Sequence, residues 1–128
     1  WDVTGQYQRN LDQGGNLSLT GHQAVSPAST LSRIALDYDQ GPWSAGAEVE
    51  RMRTGQGTVD ALGGHLEYSQ NDIDAYLRGQ VRSDNSWETS AGFEKDLNNG
   101  SWGAEGYANQ SPNGMQDSGG RVFYKIQF

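Results

Sequence analysis

Apolar and polar residues alternate along most of this chain with a period of two. Across 73–81 one set is Ile73, Ala75, Leu77, Gly79 and Val81, and the interleaved set is Asp74, Tyr76, Arg78 and Gln80. Successive side chains of an extended strand point to opposite faces, so such a window predicts a strand with one apolar and one polar side. The same rule sets Trp43, Ala45, Ala47 and Val49 opposite Ser44, Gly46, Glu48 and Glu50, and Leu62, Gly64, Leu66 and Tyr68 opposite Gly63, His65 and Glu67. It recurs through Ile34, Leu36 and Tyr38 and through Trp87, Thr89, Ala91 and Phe93. A helical period fits worse, because it would place glycines in helix interiors at about 1 kcal/mol each. The pattern predicts an all-β chain with strands at 1–10, 16–23, 31–38, 43–52, 58–69, 72–82, 87–96, 101–109 and 119–128.

The connections predict how these strands are arranged. Asp12-Gln13-Gly14-Gly15, Asp39-Gln40-Gly41-Pro42, Gln70-Asn71 and Asn98-Asn99-Gly100 carry residues that tolerate positive φ and suit tight turns. Between them lie longer stretches, His22–Thr30, Arg53–Gly57, Ser83–Ser86 and Gln110–Ser118. If neighbouring strands pair as an antiparallel up-and-down meander, all the short turns fall at one end and all the longer loops at the other, the polarity of outer-membrane barrels. Tyr38, Trp43, Tyr68, Trp102 and Phe128 lie beside the short-turn end and would form an aromatic belt. The expected architecture is one domain, 1–128, closing into a small barrel of about eight strands. With nine candidate strands, either Trp1–Asn10 lies outside that barrel or the chain is a piece of a larger one.

The last eight residues, Arg121-Val122-Phe123-Tyr124-Lys125-Ile126-Gln127-Phe128, carry apolar side chains at alternate positions and end on an aromatic ring. This segment resembles the C-terminal β-signal of bacterial outer-membrane β-barrel proteins. The resemblance implies export, assembly into the outer membrane, and contact with a lipid bilayer. A second, more degenerate resemblance joins Arg82-Ser83-Asp84-Asn85, Gly100–Tyr107 and the aromatic tail to the glycine-rich attacin and diptericin group. That likeness implies a secreted antibacterial protein acting at a bacterial surface. A soluble extracytoplasmic β-barrel binding module is a third expectation, since the alternation alone does not tell lipid from a closed core.

Composition narrows the chemistry. Asp and Glu number 16 against 9 Lys and Arg, for a formal charge of −7, which disfavours nucleic-acid binding. No apolar run is long enough for a transmembrane helix, and the first residue, Trp1 rather than Met, is read as the start of a processed, exported chain. Without cysteine there is no disulfide, thiolate metal site or thiol nucleophile. The polar set holds Arg33, Arg78, Arg82, Arg121 and Lys125 against Asp37, Glu48, Glu50, Glu67, Asp74, Glu88, Glu94 and Glu105. Inside a small barrel it would interlock as a buried ion-pair network, a plug rather than a pore.

His65 and Glu67 share a face, as a general base and its orienting carboxylate would, with Ser44 or Ser90 as conceivable nucleophiles. Asn71, Asp72 and Asp74, with Asp37 and Asp39, offer oxygen ligands, but in no calcium-loop spacing, so turn chemistry explains them better. The pairs Gly14-Gly15, Gly63-Gly64 and Gly119-Gly120 read as turn, bulge and loop-exit positions. The expectation is a non-enzyme without catalytic, cofactor or metal residues. Its structural or binding role would be carried by long loops that meet an unidentified ligand.

Overall fold

Turn chemistry sets the first level of organisation. Asn71 and Asp72 both adopt left-handed backbone, at φ 55° and 63°. Two successive positive φ values mark the type I′ hairpin, whose twist matches that of the strands it joins. Gly41 at φ 55°, followed by Pro42 with its ring-fixed negative φ, closes a second two-residue connection in the type II′ pattern. Such turns leave the register no slack, so Gln70 pairs directly with Ile73 and Gln40 with Trp43.

The computed structural model describes residues 1–128, which form one antiparallel sheet whose nine strands lie in sequence order. They are β1 (Asp2–Asn10), β2 (Asn16–Val25), β3 (Ser29–Gln40), β4 (Trp43–Thr54), β5 (Gly57–Gln70), β6 (Ile73–Arg82), β7 (Trp87–Leu97), β8 (Gly100–Gln110) and β9 (Gln116–Ile126). Pairing runs unbroken along every ladder, including Gly63-Gly64 of β5 and Gly119-Gly120 of β9. The expected bulge and loop exit at those glycines are therefore absent. With no slip of register, each side chain keeps its face from one end of a strand to the other.

Two further expectations are corrected. The strands run into the stretches expected as long loops, leaving Ser26–Ala28, Gly55-Gln56, Ser83–Ser86 and Ser111–Met115 as the connections at that end. His22 thus lies in β2, not in a loop, and β9 starts at Gln116. The polar residues of these stretches gain cross-strand hydrogen bonds by staying extended, so turn-like composition did not end the strands.

The second correction is closure. β1 belongs to the sheet and pairs with β2 throughout, but β1 and β9 each contact only one neighbouring strand, and the sheet remains open. Every strand reverses the one before it, so in a nine-stranded meander the first and last run in the same direction. The antiparallel seam that closes an even-numbered barrel is not available to them.

No second layer covers the sheet. Ala61 is the only buried apolar residue, while Ile34 is 60%, Leu77 53% and Val122 81% exposed. Ile34, Leu66 and Leu77 lie on one face, Leu66 directly across from Leu77 and Ile34 in the row of Val49, Leu62 and Val81, and they do not converge on a core.

Candidate functional site

Strand alternation brings the polar residues of β2–β9 to one face, and complementary charges meet across the ladders. Arg33 binds Glu48, Arg121 binds Glu105, Arg78 reaches Glu67 at 3.1 Å, Lys125 reaches Glu94 at 3.5 Å, and Arg82 reaches Glu88 at 3.7 Å. All five cations of the expected network therefore find an acid from that network. The pairs are not buried, however: the charged side chains keep between 33% and 70% of their surface open. The expected buried plug gives way to a wet, charge-laced surface, where each pair contributes roughly 0–1 kcal/mol.

Glycines make this face concave. Directly across the ladders, Tyr76 faces Gly92, Tyr107 faces Gly119 and Phe123 faces Gly103. A Cβ at these glycines would come within 2.8 Å, 2.8 Å and 2.7 Å of the respective rings, and at Gly103 closer still to the Phe93 carbonyl, so each ring lies over bare backbone. Gly46 likewise leaves room for both of its cross-strand partners, Asp37 and His65. Pairing a bulky residue with glycine lets the sheet curl around its own side chains. Cations flank the rings: the Arg78 guanidinium lies 4.9 Å from the Tyr76 centroid, and Arg121 and Lys125 lie 5.4 and 5.3 Å from that of Phe123. The same face holds a cleft of about 680 Å³ that reaches from Arg33 on β3 to Asn109 on β8, with Arg78 and Tyr107 in its lining.

Within this cleft the candidate residues are regrouped. His65 pairs with Asp37 at 3.7 Å rather than with Glu67, which Arg78 holds. Ser44 lies across the ladder from Glu67 and Ser90 across from Arg78, and neither hydroxyl bonds to His65. The oxygen-rich set disperses: Asn71 and Asp72 form the tight turn, Asp74 accepts from Ser69, and Asp37 sits at His65. His22 meets Asp2 at 2.7 Å further along the same face.

The opposite face is apolar and ends in a belt of rings at the end carrying the Asn71-Asp72 turn. Trp43 and Tyr68 pack with centroids 4.8 Å apart, and Phe93 and Trp102 meet edge to face at 5.2 Å. The Tyr38 and Tyr68 hydroxyls donate to Gln40 and Gln70, two residues nearer the turns, the latter over 3.2 Å. Each ring thus has its polar edge toward the turns and its body on the apolar band. Tyr124, across the ladder from Trp102, joins the belt. Phe128 lies beyond the last paired residue and is fully exposed, outside the belt expected to include it.

At the other end the apolar face stops abruptly. The Val49–Leu62 pair is followed by Arg51–Asp60, in which the guanidinium donates at 2.6 and 3.1 Å to the two carboxylate oxygens, and then by Arg53 opposite Thr58. The expectations drawn from sequence had not singled out these arginines, although their parity with Val49 places them on the same face. In the nearby Ser83–Ser86 turn, the Ser86 hydroxyl and its backbone N–H, at 2.9 Å, both donate to Asp84. The hydroxyl bond, followed by the backbone one, holds the Asp84 carboxyl below the ordinary carboxylate range.

No family model matches the chain, and no curated protein matches it in sequence. Among solved structures, a similar chain is a KdgM porin in complex with disordered oligogalacturonate. The two share 11% sequence identity, the match covers 98% of this chain and 88% of that one, and the TM-score is 0.44.

Proposed function

We propose that this chain forms the wall of an outer-membrane β-barrel, its apolar face against lipid and its charged concave face toward an aqueous interior. One observation carries the reading: a sheet of nine strands presents an apolar face, edged by amphipathic rings, that nothing else in the molecule covers. In water such a face would be an aggregation surface, whereas lipid is the solvent that suits it. From Ile73 to Val81 the band runs about 27 Å along β6 at roughly 3.4 Å per residue, which at a barrel strand tilt of about 40° spans about 20 Å of an outward-facing apolar band about 25 Å tall.

The role we assign is structural or binding rather than catalytic. The connections at the Ser83–Ser86 end span five residues or fewer, so the contact surface for a bound molecule is the cleft and not a set of long loops. Paired charges and hydroxyls line that cleft, which suits a polar solute.

Flotation with phosphatidylcholine vesicles tests the reading. The refolded chain should float with the vesicles and resist alkaline extraction, and Leu77→Arg should lower its unfolding free energy in the bilayer by about 2–4 kcal/mol. A chain that stays folded and monomeric in detergent-free buffer would contradict it.

A further inference from the structure

The outward face of β1–β4 departs from the rest of the band. Gly5 and Gly21 are direct partners across the first ladder, and nothing lies within 4 Å of where a Cβ on either would sit. Across the sheet the Gly5–Gly21 row continues into Ile34 and Val49, and in the next row Val3 stands in line with Gln23, Ser32 and Arg51, with Trp1 beyond it; together they frame a groove of about 1020 Å³. One step above Val49 the lining turns cationic. Arg51 spends part of its guanidinium on Asp60, and Arg53 makes no ion pair.

We infer that this groove binds an anionic membrane lipid, its acyl chain along the Gly5–Gly21 floor and its headgroup at Arg53 and the free donors of Arg51. The inference rests on the membrane reading above. Its argument is the match of two chemistries along one line. The row of Gly5, Gly21, Ile34 and Val49 is apolar and suits a hydrocarbon chain, and the rows beyond it, with Gln23, Ser32 and Thr30 beside the arginines, are polar and suit a headgroup. The cationic rim stands where headgroups lie and complements negative charge, with two arginines against the single carboxylate of Asp60. A basic residue at the membrane surface favours anionic over zwitterionic lipid by about fivefold.

The test uses two single-tryptophan forms of the full chain, refolded into phosphatidylcholine vesicles. Trp43→Phe/Trp87→Phe/Trp102→Phe reports from Trp1 in the groove, and Trp1→Phe/Trp87→Phe/Trp102→Phe reports from Trp43 at the opposite belt. Quenching is compared between acyl-brominated phosphatidylglycerol and acyl-brominated phosphatidylcholine.

Trp1 should associate about fivefold more strongly with the anionic lipid, while Trp43 should show no preference. Arg53→Gln should bring the Trp1 ratio close to one with Trp43 unchanged, which also shows that the variant still inserts. Gly21→Leu, which fills the floor, should reduce quenching of Trp1 by the brominated phosphatidylglycerol. Equal quenching of Trp1 by both lipids in the parent, or a preference that survives Arg53→Gln, overturns the groove and leaves the membrane reading standing. Absence of quenching at Trp43 by either lipid overturns the membrane reading and the groove with it.

Discussion

The smallest unit of this structure is a ring laid on a glycine. A tyrosine on the polar side of a sheet needs somewhere to lie, and in a single-layer sheet the only surface beside it is the neighbouring strand. Tyr76 over Gly92, Tyr107 over Gly119 and Phe123 over Gly103 repeat one solution, in which the residue opposite the ring has no side chain. Gly92→Ala would put a methyl 2.8 Å from Tyr76 Cε1 and force the ring to lift, at an expected cost of about 1–3 kcal/mol. Gly79→Ala, whose nearest neighbour is 3.9 Å away, should change stability by no more than about 0.5 kcal/mol. Urea titrations of both variants in detergent micelles check this, and adding Tyr76→Ala should relieve most of the Gly92→Ala penalty. Equal effects at Gly92 and Gly79 would mean that the ring contact contributes nothing.

At the scale of the element, the hairpins explain what was legible in the chain and what was not. All nine strands were readable from period-two alternation, because a residue's face depends only on its own strand. Tight turns such as Asn71-Asp72 were readable for the same local reason. The loop ends were misread because residues such as Gln23 and Asp117 look turn-like in isolation, yet pair with Ser32 and Asn109 once the neighbouring strand is present. The role of the glycines was hidden by distance: Gly103 and Phe123 meet only through the register of β8 and β9. Of the cleft, the charged membership was visible and the partners were not, so His65 was matched with Glu67 along its strand instead of with Asp37 across the sheet.

The Ser83–Ser86 turn gives the element a measurable signature. Asp84 is held below its ordinary value by the Ser86 hydroxyl and then by the Ser86 N–H. A carboxyl depressed in the folded state adds stability above its unfolded value, near 3.9, and loses it as the pH falls through the lower folded value. The carboxyl carbon of Asp84 should therefore titrate below that range by NMR, and Ser86→Ala should move the midpoint upward. An unchanged midpoint in Ser86→Ala would remove the hydroxyl as the main cause.

For the whole molecule, two facts set the account. β1 and β9 run the same way and leave both edges of the sheet unpaired, and the face that a soluble protein would bury stands bare from Ile34 to Val122. Unpaired edges cost most in lipid, where no water replaces the missing partners, so a membrane-embedded form of this wall requires those edges to be satisfied. The direction of the apolar face is the central claim, and the absence of cysteine makes it directly measurable with single spin labels. Labels at Ala75, Leu77 and Val81 and at Asp74, Arg78 and Gln80 sample the two faces of β6 in the refolded, vesicle-bound chain. Collision with oxygen, which partitions into lipid, should dominate at the first three positions, and collision with a water-soluble nickel chelate at the second three. If Ala75, Leu77 and Val81 are reached by neither reagent, they face a closed core, and the account is wrong.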